Sequence, residues 1–82
     1  MRYYVREHTY GLLPGFPNLY CLDAAFQLQW IAEWPDPADP CAAIMGEEGE
    51  SLVLRSTNGS TVRLEASTGR LLGIDPAMAA TG

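Results

Sequence analysis

Ser51-Leu52-Val53-Leu54-Arg55-Ser56-Thr57-Asn58-Gly59-Ser60-Thr61-Val62-Arg63-Leu64-Glu65 carries the clearest structural signal in the chain. Two short runs of β-favouring residues flank an Asn-Gly pair, the pattern of a β-hairpin. A two-residue type I′ turn on Asn58-Gly59 would set Leu54 opposite Arg63 and Leu52 opposite Glu65. A three-residue loop, Thr57-Asn58-Gly59, pairs Leu54 with Val62 and Leu52 with Leu64 instead. That register keeps the apolar residues on one face, and a one-residue slip would turn every side chain over.

The same requirement extends to both sides. Gly49, Gly59 and Gly69 are spaced ten residues apart. A three-residue loop Ser67-Thr68-Gly69 pairs Leu64 with Leu72 and Val62 with Ile74, and a loop Glu47-Glu48-Gly49 pairs Ile44 with Leu52 and Ala42 with Leu54. Each loop then ends in glycine, the residue that accepts the left-handed position after a type I turn. The reading is a four-stranded meander from Cys41 to Asp75. Its buried face is Ala42, Ile44, Leu52, Leu54, Val62, Leu64, Leu72 and Ile74.

Such a face needs a cover, because each large aliphatic side chain gains about 1.5–3 kcal/mol on burial. The N-terminal half supplies it. Arg2 to Thr9 reads as a strand, and Gly11 to Asn18 as a loop with a type II turn at Pro14-Gly15. Leu19 to Leu22 and Leu28 to Glu33 read as a hairpin in which a four-residue loop, Asp23 to Phe26, pairs Cys21 with Leu28 and Leu19 with Trp30. Pro35, Pro37 and Pro40 rule out ladder pairing from Trp34 to Cys41, so that stretch is expected to be a stiff, extended connector. The expected fold is all-β: an antiparallel meander of about six to seven strands forming a small sandwich or partly open barrel. Residues 1–75 read as a single β domain and residues 76–82 as a flexible tail.

Leu64-Glu65-Ala66-Ser67-Thr68-Gly69-Arg70-Leu71-Leu72 resembles the turn motif of quinoprotein-type β-propeller repeats, in which an acidic residue precedes Thr-Gly-Lys or Thr-Gly-Arg and a tryptophan usually follows. Leu22-Asp23-Ala24-Ala25-Phe26-Gln27-Leu28-Gln29-Trp30 is similar to a second, degenerate copy, one residue shorter and with Phe26 near the turn glycine. The Leu64 copy carries Gly73 where tryptophan is expected. The resemblance spans Asn18 to Asp75 and implies shared hairpin chemistry, or kinship with small stand-alone bacterial domains. A propeller needs at least about four blades and this chain has material for two, so a quinone cofactor and alcohol oxidation do not carry over.

Composition bounds the function. At 82 residues and 48% apolar content the chain can build one core, and it has no apolar run long enough to span a membrane. The N-terminus alternates apolar and charged residues, unlike a secretory signal, and the expected location is cytoplasmic. Cys21 and Cys41, twenty residues apart without a partner motif, read as buried free thiols in preference to a disulfide. The net charge is −5, and Ile31 to Leu54 contains no Lys or Arg. Nucleic acid is therefore a poor partner, and no membrane partner is expected.

No catalytic, cofactor or metal constellation stands out. His8 is the only histidine, which excludes a multi-histidine metal site. It reads as a partly exposed strand residue rather than half of a Cys-His pair. The candidate partner-binding residues are Trp34, at the end of the apolar alternation, and the acids Asp36, Asp39, Glu47, Glu48 and Glu50. The expectation is a non-enzymatic binding or assembly domain acting through protein contacts, with a homodimer formed across strand Arg2 to Thr9 or strand Arg70 to Asp75. The competing expectation is an acidic immunity or antitoxin-like inhibitor of a basic effector.

Overall fold

The structure is a computed structural model, described over residues 2–7, 17–36 and 38–76. It contains seven antiparallel strands: β1 (Tyr3–Arg6), β2 (Leu19–Leu22), β3 (Leu28–Ile31), β4 (Cys41–Glu48), β5 (Ser51–Ser56), β6 (Thr61–Glu65) and β7 (Leu71–Asp75). They form a three-stranded sheet, β1-β2-β3, and a four-stranded sheet, β4-β5-β6-β7. No helix is present among the described residues, and the sheets do not close into a barrel, so the architecture is that of a small sandwich. His8, Thr9, the Pro14-Gly15 turn and the tail from residue 77 lie outside the described residues.

The hairpin of β5 and β6 has the register that burial demands. Leu54 opposes Val62 and Leu52 opposes Leu64. Ser56 N–H bonds the Ser60 carbonyl at 2.9 Å, which closes the loop Thr57-Asn58-Gly59, and Gly59 has φ +88°. Leu52, Leu54, Val62 and Leu64 are fully buried. Leu19, Cys21 and Trp30 of the smaller sheet complete one continuous core with them, with Tyr4, Trp34, Ile44 and Leu71 packed against it.

The other turns depart from the three-residue rule. The turn between β4 and β5 has two residues, Gly49 and Glu50, so Ile44 opposes Leu54 and Glu47 opposes Leu52. Bulges at Cys41/Ala43 and Ile44/Gly46 absorb the offset, and Gly46 has φ +132°. These extra residues break strict alternation while leaving Ile44 against the core. At the turn between β6 and β7, the Gly69 and Thr68 N–H groups both donate to the Glu65 carbonyl, and Glu65 N–H donates to Arg70 O. The loop is therefore Ala66 to Gly69, and a bulge sets Leu71 opposite Leu64. Leu71, not Leu72, packs on the core, and Leu72 and Ile74 are 55% and 44% exposed.

The first hairpin is also shifted. Cys21 opposes Trp30 and Tyr20 opposes Ile31, with a bulge before the Leu22–Leu28 pair. The cause is the turn: Asp23 N–H bonds Gln27 O, Phe26 takes φ +61°, and the Asp23 carboxylate accepts from the N–H groups of Ala25 and Gln27. Those bonds hold a residue with a Cβ in the left-handed region, which glycine ordinarily occupies. The connector after β3 is turned rather than extended. Asp36 accepts from Ala38 N–H through its side chain and from Asp39 N–H through its carbonyl.

Candidate functional site

That turned connector builds a groove. Trp34 is half-buried, and its indole Nε1–H donates to the Asp39 carbonyl at 2.8 Å. The Asp39 side chain is buried and points into the β5–β6 turn, where Oδ1 accepts from Thr57 Oγ1 at 2.6 Å and Asn58 N at 2.8 Å. Thr57 N–H in turn bonds the Pro40 carbonyl. The connector, the turn and the end of β7 thus enclose an open groove of about 200 Å³, walled by Trp34, Pro35, Asp36 and Asp39 and floored by Val62 and Ile74.

The groove is electronegative. Burial acts to raise the Asp39 pKa, but hydrogen bonds from Ser56, Thr57 and Asn58 outweigh it and hold the carboxyl below its ordinary value of 3.8. Asp39 is accordingly ionised at neutral pH. Its folded pKa being depressed, its contribution to stability is present above 3.8 and is lost as pH falls through the folded value. Asp39→Asn is expected to cost about 1–2 kcal/mol at neutral pH and progressively less in acid. Urea unfolding of both proteins at neutral pH and at roughly pH 3 measures this. An undiminished difference in acid would contradict the assignment.

The six candidate residues divide into two groups. Trp34, Asp36 and Asp39 meet at the groove. Glu47, Glu48 and Glu50 lie at the opposite end of β4, roughly 25 Å away at the rise of an extended strand. Glu47 accepts a hydrogen bond from the Tyr4 hydroxyl. Burial first, and that bond second, push the Tyr4 pKa up to about 12. Glu48 pairs with Arg63 at 3.6 Å. Glu50 borders a polar hollow of about 400 Å³ that also includes Arg2, Glu65 and Ser67.

Two features that position the site were not among the candidate residues. Buried Asn18 binds the two sheets together: Nδ2 donates to the carbonyls of Glu7 and Cys41, and Oδ1 accepts from Cys41 N–H. Trp30 docks on the β6–β7 turn, donating from Nε1 to Ala66 O, while Glu33 N–H bonds the Gly69 carbonyl and Glu33 Oε1 accepts from Leu71 N–H. The nearby Asn18-Leu19 run and the Thr-Gly turn are visible in the sequence, but their pairing across the sheets is not.

Cys21 and Cys41 are buried free thiols. Burial raises both pKa values, that of Cys41 to about 11, so neither is a ready thiolate at neutral pH. Among the described residues no group of three or more His, Cys, Asp or Glu could hold a metal ion, and no helix is long and apolar enough to cross a membrane. No protein-family model, curated protein or solved structure matches the chain.

Proposed function

We propose that the chain is a non-enzymatic, cytoplasmic binding or assembly domain that acts through protein–protein contacts, with edge strand β7 as its contact surface and a second copy as its partner. The observation that carries this reading is β7 itself. It pairs with β6 on one side only, and it exposes Leu72 and Ile74. Edge strands that stay unpaired are usually blunted by charges or proline; here the Glu33 carboxylate on Leu71 N–H covers the start of β7 and Asp75 and Pro76 close its end, while Leu72 to Ile74 between them carries no such device. A Cβ built on Gly73, at the strand's centre, would meet nothing within 4 Å, so the sheet face there is uncovered beside the exposed Leu72 and Ile74.

The proposed kinship of the two hairpins as degenerate copies of one quinoprotein-type unit has separate support. Phe26 and Gly69 both take a left-handed φ, and each donates its N–H to the carbonyl of the acidic residue that opens the turn, Asp23 or Glu65. The alternative, an acidic inhibitor of a basic effector, draws on the exposed Glu47, Glu48 and Glu50 at the tip of the β4–β5 hairpin. Two of these three already have intramolecular partners, and the groove acids lie at the far end of β4. The β7 contact is therefore the better supported reading.

Sedimentation velocity over a concentration series tests it. The expected result is a dimer at high micromolar concentration that Leu72→Glu, an exposed substitution, converts to monomer. A wild-type chain that stays monomeric at the highest attainable concentration would overturn the proposal.

A further inference from the structure

We propose that Glu33 is a stopper built onto the free edge of β7, an autoinhibitory contact that confines pairing by a second copy to Leu72 through Ile74. The inference rests on the self-association proposed above. It begins from the peptide between Arg70 and Leu71, whose carbonyl accepts from Glu65 N–H on the β6 side at 2.8 Å. A trans peptide points its N–H the opposite way, so the Leu71 N–H projects from the open edge of the sheet. There the Glu33 carboxylate accepts it at 3.1 Å. The first outward donor of β7, which a second strand would need, is already taken.

The main chain holds Glu33 in this place. Ala32 N–H bonds the Leu19 carbonyl at 3.1 Å and Glu33 N–H bonds the Gly69 carbonyl at 2.8 Å, so the chain leaving β3 crosses to the larger sheet and runs beside the β6–β7 turn. Ala32 is buried, and Trp30 before it is anchored to Ala66 O. This backbone closes the edge at Gly69. The side chain is separable from it. Glu33 is exposed, and one hydrogen bond open to water contributes little to the fold, so the carboxylate can be removed while the corner stays built. Its removal lengthens the free edge by one donor, Leu71 N–H, and a two-fold axis repeats the gain at the other end of the interface. Covering unpaired donors in this way is one means by which an edge strand is kept from pairing beyond a set length.

Two variants separate the acceptor from the charge. Glu33→Ala removes the acceptor, whereas Glu33→Gln removes the charge and keeps an oxygen for Leu71 N–H. Amide exchange at low protein concentration is expected to be about ten-fold or more faster at Leu71 in Glu33→Ala than in wild type, with Glu33→Gln close to wild type. In sedimentation velocity on the full chain, Glu33→Ala is expected to dimerise about five-fold or more tightly than wild type, and Glu33→Gln to within about two-fold of it. Adding Leu72→Glu to Glu33→Ala should return the monomer, which ties the gain to β7. Circular dichroism checks folding. A wild-type dimer as tight as that of Glu33→Ala, or an equal gain in both variants, would overturn the stopper and leave the β7 interface standing. A wild type that stays monomeric while Glu33→Ala dimerises would uphold the stopper and overturn self-association of the unaltered chain. Monomers throughout would overturn both.

Discussion

Replacing Gly69 with alanine is expected to destabilise the fold by about 2–5 kcal/mol, which in a domain of this size lowers the thermal midpoint by roughly 10–30 °C. Two separate costs combine. Gly69 has φ +73°, where a Cβ is disfavoured by about 1 kcal/mol or more. An added Cβ would also lie 2.4 and 2.5 Å from ring atoms of Trp30, far inside contact distance. The ring cannot swing clear, because it is buried and its Nε1–H is bonded to Ala66 O. Gly49→Ala isolates the first cost, since Gly49 has φ +63° but an added methyl there would meet nothing within 4 Å. Thermal unfolding of the two variants side by side should show Gly69→Ala to be much the worse. Equal losses would mean that Trp30 does not hold the two sheets together at this point.

Asn18→Ala is the second large effect, expected at about 3 kcal/mol, because each buried polar group left unpaired costs about 1–3 kcal/mol. One side chain supplies three hydrogen bonds in the interior, and its removal leaves the Cys41 N–H and two carbonyls short of a partner. Because Cys41 opens β4, amide exchange at that strand's first residues should rise more than exchange in the β5–β6 hairpin. A loss below about 1 kcal/mol in chemical unfolding would show that the sheets are joined by apolar contact alone.

The all-β class and the central hairpin were legible in the sequence because Leu52, Leu54, Val62 and Leu64 alternate without interruption on both strands. Burial alone then settles the register. Prediction failed where the chain inserts an extra residue. Bulges at Cys41/Ala43, Ile44/Gly46 and Arg63/Leu64 each move the pairing by one, and only the Ile44/Gly46 bulge carries a local mark, Gly46 at φ +132°. Glycine spacing found three of the four positive-φ glycines and missed Gly46, and it did not distinguish a two-residue turn at Gly49 from a four-residue turn at Gly69. Phe26 shows the converse: the Asp23 side-chain bonds create a left-handed position that carries no glycine.

The site was legible in part. Trp34 and Asp36 stood out because one ends an apolar alternation and the other sits among prolines. Asp39 was noted for its charge, whereas its place is inside, tying the connector to the Thr57 turn. Asn18 gave no signal, since a polar residue after proline reads as loop unless its distant partners in β4 are known.

Association through β7 is best tested by amide hydrogen exchange measured at low and at high protein concentration. Protection is expected to rise with concentration at the outward-facing amides of Leu72 to Asp75, beyond the Leu71 N–H that Glu33 already holds, while that of β1 and β3 stays unchanged. Exchange along β7 that is independent of concentration, or protection that grows on β1 or β3 instead, would show that β7 is not the contact.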